Sequence, residues 1–188
     1  MYIIINEENI IKLNEFRDQV NIAKLKYMLE HLVSRYIGYY NDHGIDHGTQ
    51  HINDVLNRSI KMFIWWVNKL GIKNAKESEE LRNLGIKSFG GAILILIFAS
   101  IIHDFKQHLD RKNHHKLAAE ELINLINWSV YLQSINNFKW ITRISKNNLY
   151  IASKLCMEHR SSFEGEFSNI LCEIFNAADN DPLNLKNI

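Results

Sequence analysis

The sequence predicts an all-α protein, a compact bundle of at least five helices around one apolar helix. Three observations carry this. Residues 89–104, FGGAILILIFASIIHD, are almost wholly apolar after the two glycines. The run has the length of a buried helix, and no second strand-like run exists to pair with it. Nearly every other long segment repeats apolar residues at three- and four-residue spacing, the period of a helix with one buried face. A chain of 188 residues reads as one domain with a core of its own.

In chain order, residues 2–5 read as a short strand or an ordered tail. Residues 7–33 place Ile10, Ile11, Leu13, Phe16, Val20, Ala23, Leu25, Met28, Leu29 and Leu32 at helical spacing. One or two helices fit, with Asn21 as a break. Residues 36–50, YIGYYNDHGIDHGTQ, read as a loop by their Gly, Asn and Asp. A helix is expected over 49–70, with the stripe Ile52, Val55, Leu56, Phe63, Trp66, Val67 and Leu70, closed by Gly71. Residues 73–87 are polar, a connector or a short solvated helix. The apolar run follows, as a helix over about 91–103. Residues 105–113 read as a polar loop. Residues 114–132 are amphipathic, with His114, Leu117, Ala118, Leu122, Leu125 and Trp128 on one face. In 148–159, Ile151, Leu155 and His159 are spaced by four. In 167–179 the same holds for Leu171, Phe175 and Asp179, and the only proline, Pro182, follows.

Composition excludes several classes. Lys and Arg number 22 against 21 Asp and Glu, a net charge of +1. No bulk electrostatics point to nucleic acid or to a membrane surface. Residues 91–102 are too few to span a bilayer, and the opening MYIIIN is too short for a signal peptide. Cys156 and Cys172 fall inside helical patterns and read as reduced core residues, which places the protein in the cytoplasm. The chain ends nine residues after Asp179, as expected of one domain taken from a longer protein.

The nine histidines carry the chemistry. His51 opens one helix, His103 and Asp104 end the apolar one, His114 opens another, His159 ends the next and Asp179 ends the last. Each sits on or beside the apolar stripe of its helix. Buried ionisable groups must be paired, hydrogen-bonded or bound to a metal, because burying them bare costs several kcal/mol. Imidazole and carboxylate together suit a divalent metal, Mn, Fe, Ni, Mg or Zn. No cysteine is placed to join them. One His-Asp dipeptide is weak evidence, and a lone histidine at the edge of a stripe is ordinarily a hydrogen-bonded core residue. The ordered set, spread over several helix ends, weighs the other way.

The order His, His-Asp, His, His, Asp resembles the HD-domain superfamily of metal-dependent phosphohydrolases. Residues 42–55, DHGIDHGTQHINDV, resemble its first motif through His51 and Val55. Residues 96–104, LIFASIIHD, resemble the helix ending in His-Asp. Residues 114–122, 151–159 and 171–179 are similar to the later motifs. The resemblance covers about 40–182, with 1–39 as an N-terminal helical extension of a single HD-type domain over 1–188. It implies His51, His103, Asp104 and Asp179 as ligands of a first ion. It implies His114 and His159 as ligands of a second ion or of the substrate phosphate, so that one or two ions are bound. Asp104, His114 and His159 are the catalytic candidates. His114 is preferred over His115 because it shares a face with Leu117, Ala118 and Leu122. His47, Lys106, Arg111 and Arg160 are the candidates for substrate binding, with Lys112 beside them. His31 and His108 read as surface residues.

The implied activity is hydrolysis of a phosphomonoester or phosphodiester bond by metal-activated water. The partner is then a phosphate-containing small molecule, a nucleotide. Many two-metal members, the HD-GYP phosphodiesterases among them, continue His-Asp with Ile-Gly-Lys. Phe105, Lys106 and Gln107 depart from this, and no GYP-type motif follows. Two alternatives are a metal-dependent nuclease on single-stranded nucleic acid and a non-catalytic sensor or interaction domain. A nuclease would show a basic groove lined with aromatic residues, whereas the stripes place Trp66 and Trp128 in the core.

Overall fold

The structure, a computed structural model, describes residues 3–16, 19–41, 48–105, 107, 109–131, 145–159 and 169–180; of 37–41 and 128–131 it describes the backbone. These residues form eight helices and no strand. The helices are α1 Glu7–Asn14, α2 Ile22–Asn41, α3 Thr49–Lys69, α4 Glu79–Asn83, α5 Phe89–Ile102, α6 His114–Tyr131, α7 Lys146–Glu158 and α8 Ile170–Asn180.

Helix α5 is the axis of the bundle. Every residue of it except Gly90 and Gly91 is buried. A helix that is apolar all round must be covered all round, and α2, α3, α6, α7 and α8 all touch it. Each of its large side chains contributes about 1.5–3 kcal/mol by leaving water. Its start is fixed locally. The Ser88 hydroxyl accepts from the Gly91 N–H at 3.1 Å, an N-cap. Gly90 donates to the Gln19 carbonyl at 2.8 Å, and a Cβ at Gly90 would come within 3.0 Å of that oxygen. The two glycines therefore belong to the first turn of the helix and do not precede it.

The other elements follow their stripes with some shifts. Asn21 separates α1 from α2 and caps α2, its side chain accepting from the Lys24 N–H at 2.9 Å. Ile11, expected on the stripe, is 65% exposed, and Ala23 also faces solvent. Helix α2 continues to Asn41, through residues that read as a loop. The cause is Tyr36, which is buried and extends the line of Met28, Leu29 and Leu32. Its burial outweighs the cost of about 1 kcal/mol that Gly38 brings to a helix. Helix α3 ends one residue before the expected Leu70, which caps it and is exposed. Gly71 at φ 65° closes it, with the Ile72 N–H bonded to the Val67 carbonyl at 3.1 Å.

Residues 3–6 are extended and ordered against α3. The Asn53 side chain accepts from the Ile4 N–H at 3.0 Å, and Asn57 accepts from the Asn6 N–H at 2.8 Å while donating to the Ile4 carbonyl at 2.8 Å. Two asparagines one turn apart thus do what a neighbouring strand would do. The polar connector contains the short helix α4, whose Leu81 is buried. Phe105, Gln107, Leu109 and 111–113 lie in turns, and the side chains of Phe105 and Gln107 are buried. Trp66 is in the core as expected, whereas Trp65 is exposed; the side chain of Trp128, and Trp140 and Pro182, lie outside the described residues. His31 is half-buried with its ring edge-on to Tyr27, and not a surface residue. Cys156 and Cys172 are free and buried. No described helix is long and apolar enough to cross a membrane.

Candidate metal centre

Six side chains meet at one end of α5, each delivered by a helix end. His51 comes from the first turn of α3, and His103 caps the C-terminus of α5 with Asp104 beside it. His114 opens α6, His159 caps the C-terminus of α7, and Asp179 is next to last in α8. They are spread over 51 to 179 in the sequence, and the bundle brings all of them together. His103, Asp104, His114 and His159 are buried, and His51 and Asp179 are half-buried.

The six form two groups, His51, His103 and Asp179, and Asp104, His114 and His159, with donor atoms in each group within 4.8 Å of one another. In the first, His51 Nε2 lies 3.3 Å from His103 Nε2 and 3.1 Å from Asp179 Oδ1, and His103 Nε2 lies 3.3 Å from Asp179 Oδ1. In the second, His114 Nε2 lies 3.4 Å from His159 Nε2 and 3.2 Å from Asp104 Oδ1. The other oxygen of Asp104, Oδ2, faces the first group, 3.2 Å from His103 Nε2 and 3.7 Å from His51 Nε2. One carboxylate therefore joins both groups, one oxygen to each.

These spacings fit a shared ion. A shell with bonds of about 2.1 Å has edges of about 3.0 Å if octahedral and about 3.4 Å if tetrahedral. The rings are also aimed. His103 Nδ1 donates to the Ser100 carbonyl at 3.0 Å, His114 Nδ1 to Arg111 at 2.8 Å and His159 Nδ1 to Cys156 at 2.6 Å. A carbonyl only accepts, so each Nδ1 carries a hydrogen and each Nε2 is turned to the centre. This backbone support is the usual way a ligating histidine is fixed in tautomer and orientation.

Electrostatics separate the roles. Burial alone would hold His103 uncharged, but Asp104 and Asp179 outweigh it and raise its pKa well above the usual imidazole range. Burial alone would raise Asp104, but His103, His114 and His159 bring it well below the usual carboxylate range. Asp179 is lowered likewise, against its burial, by His103 and His51. Burial and the charge on His103 lower His159 to about 4, so its ring is neutral at pH 7. Burial, with the two aspartates, pushes the Cys156 thiol up.

Around the centre, Phe175 sets its ring against His103 and His159, with centroids 5.6 and 6.5 Å away. Arg58 Nη1 donates to the Ala178 carbonyl at 3.2 Å and ties the end of α8 to α3. Gln107 follows Asp104 by three residues, its N–H bonded to the Asp104 carbonyl at 3.0 Å, and its buried amide has no partner among the described residues. Tyr36 packs edge-on against Phe105 at 5.2 Å and bonds Glu121. Phe175 shares the four-residue spacing of Leu171 and Asp179, and Tyr36 continues that of Met28 and Leu32, whereas neither Gln107 nor Glu121 has a spacing signal that marks it in the sequence.

His114, not His115, belongs to the group with Asp104 and His159, although the His115 ring lies 6.4 Å from that of His159. The His115 ring stands 5.9 Å from that of His114 and is half-buried. Of the substrate-binding candidates, Arg111 is exposed on the turn leading into His114, as is Lys112. His47, Lys106 and Arg160 lie outside the described residues, as does His108.

Fold and site together define an all-α bundle with a buried His/Asp centre able to hold a divalent metal ion. No family model, curated protein or solved structure matches the chain.

Proposed function

We propose that the protein is a metal-dependent phosphohydrolase of the HD type, acting on a phosphomonoester or phosphodiester bond of a nucleotide. The observation that carries this is Asp104, whose two oxygens face two separate His/Asp groups 3.2 Å from a histidine of each. That arrangement suits two ions held side by side. Divalent ions bound there would make a water acidic enough to deprotonate near neutral pH and would offset charge on phosphate oxygens.

The side chains divide the work. His51, His103, Asp104 and Asp179 would hold the first ion. Asp104, His114 and His159 would hold the second, and His159 suits a ligand better than a proton donor because its ring is neutral at pH 7. To hold an ion, His103 would have to give up its Nε2 proton, its Nδ1 hydrogen being kept by the Ser100 carbonyl. Asp104 presents one oxygen to each group. Arg111 and Lys112 present exposed cations on the turn before His114, on hand for substrate phosphates.

The test has two parts. The purified protein is assayed for bound metal and titrated with Mn²⁺. It is then offered nucleoside mono-, di- and triphosphates, cyclic nucleotides and single-stranded oligonucleotides. Metal-dependent hydrolysis of a nucleotide, lost in Asp104→Ala, is the expected result. Cleavage of oligonucleotides alone would make it a nuclease. Tight metal binding with no turnover on any substrate would leave a sensor or interaction domain.

A further inference from the structure

The two groups of the centre are anchored differently. Helices α3, α5 and α8, which carry the first group, pack on one another. Helix α6, which carries His114, lies along α7, which itself packs on α5, and meets α5 directly over a short stretch only. Beyond this packing through α7, a direct tie between α6 and the Asp104 end of α5 would narrow the position of His114, because a ligand displaced by a fraction of an ångström leaves the shell. That tie is visible. Tyr36 of α2 donates its hydroxyl to Glu121 Oε1 of α6 at 2.6 Å, across 85 residues of sequence. Arg35 Nε donates to the same hydroxyl at 3.0 Å, and Arg35 Nη2 lies 3.5 Å from Glu121 Oε1.

Glu121 is two turns after His114 and shares its side of α6. The Tyr36 ring packs against Phe105, the residue after Asp104. One side chain thus touches the residue next to the shared carboxylate and the helix that carries its histidine partner. Tyr36 is buried and the Glu121 side chain 14% exposed, so little water competes for the bond. Burial and the Glu121 carboxylate push the phenol up and keep it protonated.

We infer that Tyr36 and Glu121 form a latch that positions His114 for the second ion, without touching ion or substrate. The inference rests on the two-ion reading above. It makes Tyr36 a positioning residue, distinct from a tyrosine that only fills the core.

Two variants test it. Tyr36→Phe keeps the ring on Phe105 and removes the hydroxyl; Glu121→Gln keeps an acceptor of lower strength. Metal-free protein is titrated with Mn²⁺ and bound ions are counted by electron paramagnetic resonance. The parent binds two ions. Tyr36→Phe keeps the first affinity within about threefold and weakens the second by about tenfold or more, as loss of outer support for a ligand does. Glu121→Gln gives a smaller loss in the same direction. In the metal-free protein, amides of residues 117–120 exchange about fivefold faster in Tyr36→Phe, while those of residues 53–56 in α3 keep the parent rate. Equal weakening of both ions, an unchanged second ion, or unchanged exchange in α6 would overturn the latch. Should the parent bind fewer than two ions, the two-ion reading fails by itself, and exchange in α6 decides the latch: faster supports it, unchanged ends it.

Discussion

Asp104→Ala is the sharpest perturbation of the centre. The carboxylate it removes supplies Oδ2 to His103 at 3.2 Å and to His51 at 3.7 Å, and Oδ1 to His114 at 3.2 Å. Both groups lose a donor at once. In the metal-free protein His103 keeps Asp179 Oδ1 at 3.3 Å. The cost is therefore about 2 kcal/mol, below that of a buried charge left with no partner. With metal the contrast grows. At a metal concentration a hundred times its Kd, the parent gains about 2.7 kcal/mol. For a chain of this size that raises Tm by about 5–11 °C. Losing a direct ligand weakens affinity by about 100-fold or more, so at the same concentration the variant gains about 0.4 kcal/mol, about 1–2 °C. The assay is a pair of melting curves with and without Mn²⁺, beside nucleotide hydrolysis. An equal metal-dependent rise in both proteins, or full activity in the variant, would refute the bridging role of Asp104.

Three further outcomes are expected. His114→Ala loses the second ion, whereas His115→Ala keeps both; a loss on substituting His115 alone would move the ligand one place along α6. Without metal, stability peaks near pH 6.5: above it the stabilisation from the raised His103 is lost, and below it His159, lowered to about 4, and then the two lowered aspartates make unfolding easier as the pH falls. Melting curves in chelator from pH 4 to 9 check this, and a Tm that climbs steadily to pH 9 would contradict it. Ile97→Ala, in the middle of α5 and fully buried, costs about 3 kcal/mol and lowers Tm by about 6–12 °C; a drop under 2 °C would mean α5 is not the core.

Much of this was legible in the sequence, for physical reasons that also mark its limits. A run such as Ala92–Ile102 has no polar face, so it must be surrounded; its length and the lack of a second strand-like run favour a helix over a strand, and the structure surrounds a helix there. The ligand candidates were visible because each ends or opens an apolar stripe, a place where a polar side chain can be buried and still reach its neighbours. Residues 36–41 were misread because Gly38 and Asn41 speak locally for a loop, while the reason for a helix, the buried Tyr36, lies in tertiary packing. The Tyr36–Glu121 bond has no period to give it away. Asn53 and Asn57 look like ordinary polar positions of α3 until the extended residues 3–6 are laid along them. The choice between His114 and His115 was legible from Leu117, Ala118 and Leu122, since a helix face is set by spacing alone.

The apolar girth of α5 also bears on how the protein is made. A ribosome releases the chain from residue 1 onwards, so α5 emerges after α2 and α3 but before α6, α7 and α8 exist. Helices α2 and α3 can shield only part of its circumference. The side that α7 and α8 cover stays bare until residue 180 has been synthesised and folded back. For that interval the nascent chain carries a sticky, uncharged rod, the kind of surface that chaperones seize and that crowded polysomes aggregate around. Yield in a cell should therefore respond to translation speed over 103–180 and to chaperone supply more than to the modest stability changes of surface variants.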